Sequence, residues 1–318
     1  MSPLQNRHIA ICLIIILLLS VSGCSGTTDH VQKPSAPEPS VLREFPPATM
    51  RLPQESGTAK VVGASGVDYG NASDGYITAW YSGDKTAKIQ VIKLDSSSQN
   101  PSWNYDIDSP QKKEVLPLQA GSGRYKVYVA EHIEGEKYSP IVDIEFDVSL
   151  NSELSPFLFP TKYAMFSPDS ISAGKASELT QGCKSDIEAI NKVYLYIKEN
   201  ITYDTKKAET IQNFYTPDPD ETLSVMKGIC FDYASLVCAM LRVNGIPTKL
   251  VTGRVTGDVS HAWNSVYLEN EGWIDVFIHI APDTWELIDL TFAAGSGSGE
   301  QLAQYIGDGE SYTELKIY

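Results

Sequence analysis

The sequence predicts an α+β domain, with helices first and a mainly antiparallel sheet second, preceded by a small all-β sandwich. Two observations carry this prediction. Short runs of alternating apolar residues, separated by turn residues, fill the first half of the chain, as in a sandwich. Beyond residue 151 the apolar spacing becomes helical and then returns to that of strands. We therefore place the sandwich at residues 58–150 and the α+β domain at residues 151–318.

The composition is that of a globular protein with an acidic balance. Hydrophobic residues make up 42% of the 318 residues, and 40 acidic residues against 25 basic ones give a net charge of −15. Such a charge repels the phosphates of nucleic acids, so we expect no nucleic-acid partner. The acidic residues are dispersed and lack the spacing of a calcium loop. The sequence therefore predicts neither a metal site nor a cofactor.

The N-terminus has the pattern of an exported protein. Arg7 precedes an apolar run and a group of small residues, which is typical of a secretory signal peptide at residues 1–23. The run is shorter than the roughly 20 residues of a membrane-spanning helix. Its end, Val21–Cys24, resembles the bacterial lipobox, which implies a lipid on Cys24 and attachment to the outer side of the cell membrane. An uncleaved N-terminal anchor is the alternative interpretation.

The sequences of the tether and the sandwich predict no reaction centre. Residues 24–57 are rich in Ser, Thr, Pro, Glu and Gln and lack apolar periodicity, which predicts a flexible tether. Sandwich strands are predicted at residues 76–81, 88–92, 125–129 and 141–148. Several aromatic residues lie in or near these strands: Tyr76, Trp80, Tyr81, Trp103 and Tyr105. We favour packing as their role, with a glycan-binding face as the alternative.

Helix-start and helix-stop signals organise the second domain. Ser167-Pro168-Asp169 is typical of a helix start, and Ser185–Glu188 is a capping box whose helix should end near Asn200. Its predicted apolar stripe consists of Ile187, Ile190, Val193, Tyr194 and Ile197. A third helix should follow Gly228-Ile229-Cys230 and stop at Asn244–Pro247. Strands are then predicted at residues 248–255, 262–268, 272–279 and 285–290.

Three ordered stretches contain the types of residue that a thiol enzyme needs. Cys230 is expected at a helix N-terminus, where unpaired N–H groups favour the reactive thiolate and lower its pKa. His261 opens an aromatic strand, from which an imidazole can take up and return the thiol proton. Asp289 should end the last of these strands, where a carboxylate can orient the imidazole. We predict Cys230, His261 and Asp289 as a catalytic triad.

At these residues the chain resembles the transglutaminase-like superfamily, which shares the papain-like catalytic arrangement. The resemblance lies in Gly228–Tyr233, in the HAWxxV strand at His261–Val266 and in Asp289–Phe292, with further likeness at Tyr203-Asp204 and Gly245–Thr248. It covers roughly residues 180–295, and three motifs in order are more specific than any one of them. It implies a papain-like fold for residues 151–318. Leu290 replaces a usual proline, and the stretch between His261 and Asp289 is longer than in the family.

Several alternatives remain open at the level of sequence. Asp275 competes with Asp289 as the orienting acid, although the Thr-Phe after Asp289 favours the latter. The backbone N–H of Cys230 is the first expected oxyanion donor, and a side-chain donor is expected within residues 212–215. We expect Cys238 to be an inert buried thiol. A disulfide between Cys183 and Cys238 would leave Cys230 as the free thiol.

The resemblance implies a thiol enzyme that acts on amide bonds at the cell surface through a thioester. Its partner would be a protein or peptide substrate, with cell-wall peptide as one possibility. Water would complete a peptidase or amidase reaction, and an amine would complete a protein-glutamine transamidation. The alternative is a catalytically silent surface-binding lipoprotein that uses the sandwich and the transglutaminase-like scaffold for recognition.

Overall fold

The computed structural model describes residues 50–94, 100–107, 111–211, 215–255, 259–269, 271–276, 279–281, 284–286 and 312–318. The predicted signal peptide, Cys24 and most of the tether lie outside these residues, and so does Asp289. All the described residues fall within one compact unit, Pro37–Tyr318. The boundary at residue 150 therefore stays a prediction. No helix in the described part of the chain is both long and apolar enough to span a membrane.

The first part of the chain forms two antiparallel sheets around a shared core. Its strands are β1 (Ala59–Val62), β2 (Ser65–Asp68), β3 (Tyr76–Trp80), β4 (Ala87–Leu94), β5 (Ser102–Asp106), β6 (Glu114–Pro117), β7 (Gly123–Glu134) and β8 (Lys137–Val148). The strand orders are β1-β2-β3-β6 and β5-β4-β7-β8. Alternate side chains of the long strands are buried, because one face of each sheet packs on the other. The predicted strands are confirmed.

The aromatic residues of this part belong mainly to its interior. Tyr76, Tyr81, Trp103 and Tyr105 are all buried. The packing interpretation is therefore confirmed for these four. Trp80 lies at the surface against the backbone, where its indole Nε1 donates to the carbonyl of Ala64 at 2.8 Å.

The helices of the second part are α1 (Ile171–Thr180), α2 (Asp186–Asn200), α3 (Thr205–Thr210), α4 (Pro219–Val225) and α5 (Cys230–Val243). Between them, β9 (Thr202–Tyr203) and β10 (Lys227–Gly228) form a short parallel pair. Helix α2 begins and ends as predicted, and the Ser185 hydroxyl accepts from the Glu188 N–H at 3.2 Å. Its stripe at residues 190, 193, 194 and 197 is buried in one core with α1 and α5.

The predicted start of the first helix is wrong by a few residues. Ser167-Pro168-Asp169 forms a turn, and α1 begins at Ile171. The reason is a distant cap: the Asp220 carboxylate accepts from the N–H groups of Ile171 and Ser172 at 3.0 and 2.8 Å. Asp220 is 49 residues away in sequence, so no local signal fixes this start.

A third antiparallel sheet lies against α5. It contains β11 (Thr248–Val255), β12 (Val259–Leu268), β13 (Gly272–Val276) and β16 (Tyr312–Ile317), in the order β13-β12-β11-β16. A separate hairpin pairs β14 (His279–Ala281) with β15 (Thr284–Glu286). One strand prediction needs correction, because β13 ends at Val276 and not at residue 279. Of the strand predicted at 285–290, residues 285–286 lie in β15 and the rest lie outside the described residues. The architecture is α+β, as predicted.

Candidate active site

Helix α5 begins at Cys230 because the preceding backbone is capped from within the helix. The Asp232 carboxylate accepts from the N–H of Ile229 at 2.8 Å, which satisfies one of the donors that a helix start leaves open. Gly228 leaves room for this contact, since a Cβ there would lie 2.7 Å from the Cβ of Asp232. The local sequence thus places the sulfur of Cys230 in the first turn of α5.

Strand β12 is fastened to α5 by Asn264. This side chain is buried, and its Nδ2 donates to the carbonyl of Ala234 in α5 at 2.9 Å. Its Oδ1 accepts from the hydroxyl of Tyr194 in α2 at 3.3 Å. Asn264 therefore faces α5 and fixes the position of β12 along the helix.

The hydrogen bond between Asn264 and Ala234 also brings Cys230, in the first turn of α5, to the edge of β12. The backbone N–H of Ala262 lowers the pKa of the Cys230 thiol, and the two residues line one pocket and share one apolar cluster. The last described pair between β12 and β13 is Asn264 with Val276, so the amide of Ala262 lies beyond that pair. Strand N–H groups point sideways, within the plane of the sheet. The sulfur therefore lies at the edge of β12, beside residue 262.

His261 immediately precedes Ala262, the residue beside the sulfur of Cys230. The Cα atoms of neighbouring residues are about 3.8 Å apart, so the backbone of His261 is next to Cys230. Side chains alternate along a strand, which puts His261 on the sheet face opposite Asn264. Its ring stacks with that of Trp263, at 6.3 Å between centroids. The structure thus brings together two members of the predicted triad at the level of the backbone.

Burial, not the helix terminus, dominates the protonation of Cys230. The Cys230 side chain is half-buried, and desolvation raises the pKa of its thiol above the ordinary cysteine value. The N–H groups of Ala262, Phe231 and Cys230 act in the opposite direction, and the negative charge of Asp232 raises the pKa further. The predicted lowering of this pKa is therefore wrong for the described structure, because the cost of burying a thiolate exceeds the gain from these N–H groups.

A small pocket opens beside Cys230, between α5 and the sheet. It is lined by Cys230, Tyr233, Ala234, Ala262, Trp263, Asn264 and Val276. Residues of the predicted cysteine and histidine motifs thus line one cavity. Small side chains at positions 234 and 262 keep it open.

A buried network that sequence reasoning missed lies behind Cys230. The Lys207 Nζ lies 2.7 Å from the Asp232 carboxylate, and the Tyr215 hydroxyl donates to the same carboxylate at 2.5 Å. Lys207 also donates to the Tyr215 hydroxyl at 2.6 Å. The position of Asp232 in the first turn is a recognisable capping signal. Nothing in the sequence pairs it with residues 207 and 215.

The remaining site predictions have different outcomes. Asp289 lies outside the described residues. Asp275 is exposed and lies opposite Ser265, so it is about 13 Å along the strand from His261, at roughly 3.3 Å per residue. Of the expected oxyanion donors, residues 212–214 are also outside the described range. The Tyr215 hydroxyl is engaged by Asp232 and Lys207.

Cys183, Cys230 and Cys238 are free thiols, so the possible Cys183–Cys238 disulfide is not formed. Cys238 is fully buried, and desolvation raises its pKa, which agrees with an inert thiol. Among the described residues, no group of His, Cys, Asp and Glu is arranged to hold a metal ion.

Comparison with known sequences gives a family match within the second part of the chain. Residues 173–277 match the sequence model of the Transglutaminase-like superfamily. Kyphoscoliosis peptidase of Mus musculus is 29% identical over 130 residues, which are 37% of this chain and 18% of the mouse protein. The human protein of the same name is 28% identical over 130 residues, with the same shares of both chains. The matched part thus spans less than a fifth of these relatives.

Two solved structures give weaker matches. A candidate cysteine protease from Cytophaga hutchinsonii has a TM-score of 0.34 and 17% identity, covering 63% of this chain and 73% of that one. Red sea bream transglutaminase has a TM-score of 0.27 and 13% identity, covering 63% and 47%. Because these TM-scores are low, nothing about the function of this chain is inferred from them.

Proposed function

Because residues 173–277 carry a transglutaminase-like domain, we propose that this chain is a thiol enzyme that acts on amide bonds of proteins or peptides. One observation carries the proposal: Cys230, at the start of α5, shares a pocket and an apolar cluster with Ala262, the residue that follows His261. Helix α5 and strand β12 thereby hold the backbones of Cys230 and His261 next to each other, and we assign the roles of nucleophile and general base to these two residues.

The chemistry follows from these positions. His261 takes the proton of the Cys230 thiol as the sulfur attacks the carbonyl carbon of an amide. The negative charge on the carbonyl oxygen is stabilised by the backbone N–H of Cys230 at the helix start. Collapse of this intermediate breaks the C–N bond, and His261 returns the proton to the departing amine. A thioester to Cys230 remains.

The thioester can be resolved in two ways. Attack by water gives a carboxylic acid and the free thiol, which is hydrolysis. Attack by a primary amine gives a new amide and the free thiol, which is transamidation. We favour hydrolysis of peptides, as in many bacterial proteins of this superfamily.

Asp289 is our proposed orienting acid for His261. The alternative, Asp275, is placed about 13 Å along the strand from His261 (roughly 3.3 Å per residue), which is too far for a hydrogen bond to the imidazole. We further propose that the protein is exported and anchored by a lipid on Cys24. Mass spectrometry of the mature N-terminus, with Cys24→Ala as control, should show a diacylglyceryl-sized mass on the wild-type residue alone.

The proposed activity is tested by one pair of variants. Cys230→Ala should abolish both release of amines from a peptide library and incorporation of a fluorescent amine into a test protein. Cys183→Ala removes another thiol outside this pocket and should retain the activity. The first assay reports hydrolysis and the second transamidation. Undiminished turnover by Cys230→Ala would refute the assignment of the nucleophile.

A further inference from the structure

The carboxylate of Asp232 is the most enclosed charge near Cys230. Its side chain is 0% exposed and accepts from the N–H of Ile229, from Tyr215 and from Lys207. A carboxylate without a counter-charge is costly to bury, because the interior solvates it poorly. Lys207 supplies that charge and is itself 28% exposed in its side chain.

The carboxylate of Asp232 has two opposite effects on Cys230. As a cap it orders the first turn of α5 and so fixes where the sulfur lies. As a negative charge two residues away, it opposes a second negative charge on the sulfur. A neutral capping side chain would not repel a thiolate on Cys230, and a carboxylate paired with a positive charge would repel it less.

Other ionisable groups surround the same thiol in the described structure. They are Tyr203 on β9, Tyr233 on α5, and Tyr163 and Tyr318 in the same apolar cluster. His261 precedes Ala262 in β12, and Tyr215, before α4, contacts Asp232. A nearby cation, Lys227, is paired with Asp204 at 3.1 Å. Lys207 is the cation that contacts Asp232 directly.

We propose that Lys207 is a positioning residue for the nucleophile, one that neutralises the Asp232 cap so that α5 keeps its ordered start without an uncompensated negative charge beside Cys230. This inference rests on the proposed function for its biological meaning. Its physical content concerns the thiol alone. Tyr215 supports the same arrangement by holding the other carboxylate oxygen.

The test measures the rate at which iodoacetamide alkylates Cys230, by peptide mass mapping, as a function of pH. Lys207→Met removes the charge and keeps an unbranched side chain of similar size. We expect the midpoint of its alkylation profile to move to higher pH by about half to one unit, and the rate near neutral pH to fall roughly three- to tenfold. Lys206→Met, on an exposed neighbour in α3, is the matched control and should leave the profile unchanged.

Two further variants separate charge from shape. Lys207→Arg keeps the charge and should shift the profile less than Lys207→Met. Asp232→Asn combined with Lys207→Met removes both charges while retaining a side-chain oxygen for the cap, and should return the midpoint to that of the wild type. The double variant also avoids an unpaired buried charge if Lys207→Met folds poorly.

The outcomes distinguish the two proposals. A folded Lys207→Met protein with an unchanged alkylation profile would overturn the role of Lys207, and so would a double variant that stays shifted. Alkylation needs no substrate and can be measured whether or not the protein turns over amides. Absence of amide turnover in the wild type would therefore count against the proposed function alone.

Discussion

Replacing Asn264 by alanine tests whether one side chain holds the two halves of the site together. Asn264 is 1% exposed and connects β12 to Ala234 in α5 and to Tyr194 in α2. Its Nδ2 also lies 3.4 Å from the sulfur of Cys238 and 3.3 Å from the carbonyl of Lys249. The substitution removes all these contacts and leaves a small cavity against α5.

The magnitude follows from what each partner loses. The Tyr194 hydroxyl is buried, and the Asn264 amide oxygen accepts from it, so an unpaired hydroxyl should cost about 1–3 kcal/mol. The carbonyl of Ala234 lies inside a helix and keeps its helical hydrogen bond, so the lost contact there should cost only about 1 kcal/mol. We expect the free energy of unfolding to fall by about 2–4 kcal/mol in total.

Urea unfolding followed by tryptophan fluorescence measures this loss. Asn200→Ala is a suitable control, because the Asn200 side chain, like that of Asn264, donates to a backbone carbonyl of a helix. Its acceptor is the carbonyl of Tyr196 at 2.8 Å, and Asn200 is exposed whereas Asn264 is buried. We expect that control to cost less than about 1 kcal/mol. If the two variants were equally stable, Asn264 would not fasten β12 to α5, and the geometric basis of the site would be lost.

Three other predictions concern the surroundings of the site. Gly228→Ala should destabilise the protein by about 1–3 kcal/mol, because its Cβ would collide with the side chain that caps α5. Gly174→Ala, in open space within α1, should instead stabilise the protein by about 0.5–1 kcal/mol. Thermal unfolding measures both variants, and equal effects would contradict the steric argument. Lys162→Met should cost about 2–3 kcal/mol, because it removes the buried cation 3.3 Å from the buried carboxylate of Glu114 and leaves only the half-exposed Lys112, at 3.7 Å, as its counter-charge. Glu114→Gln in the same protein should recover part of the loss in thermal unfolding; no recovery would show that the charge is not the cause. Burial raises the pKa of Cys230, so the thiolate is scarce at neutral pH and the alkylation rate should still be rising above about pH 8.5; a plateau below that pH would contradict the raised value.

The elements that the sequence predicted well are those whose signals are local. Helix α2 carries its capping box and its apolar stripe within one short stretch, and the structure has both where they were expected. The same is true of the helix that begins at Cys230, because Gly228 and Asp232 lie in the segment that they shape.

The features that the sequence did not predict depend on distant partners. Helix α1 begins where Asp220 caps it, and β16 joins the sheet by pairing with β11. The network of Lys207, Tyr215 and Asp232 combines the first turn of α5 with residues that precede it by 17 and 25 positions. A single sequence shows each of these residues but not which distant residue becomes its partner.

Near the start of β12, residues 261–264 (His-Ala-Trp-Asn) show why a whole motif indicates a site better than the reactive histidine alone. Ala262 is small where the strand meets α5, and Trp263 covers Gly253 so closely that a Cβ there would lie 2.6 Å from the indole ring. Asn264 then fastens the strand to the helix that begins with Cys230. A chain that kept Cys230 and His261 but lost these contacts would retain the reactive groups without the register that brings helix and strand together. The histidine supplies the proton transfer in our proposal, and the three residues after it determine where that histidine lies.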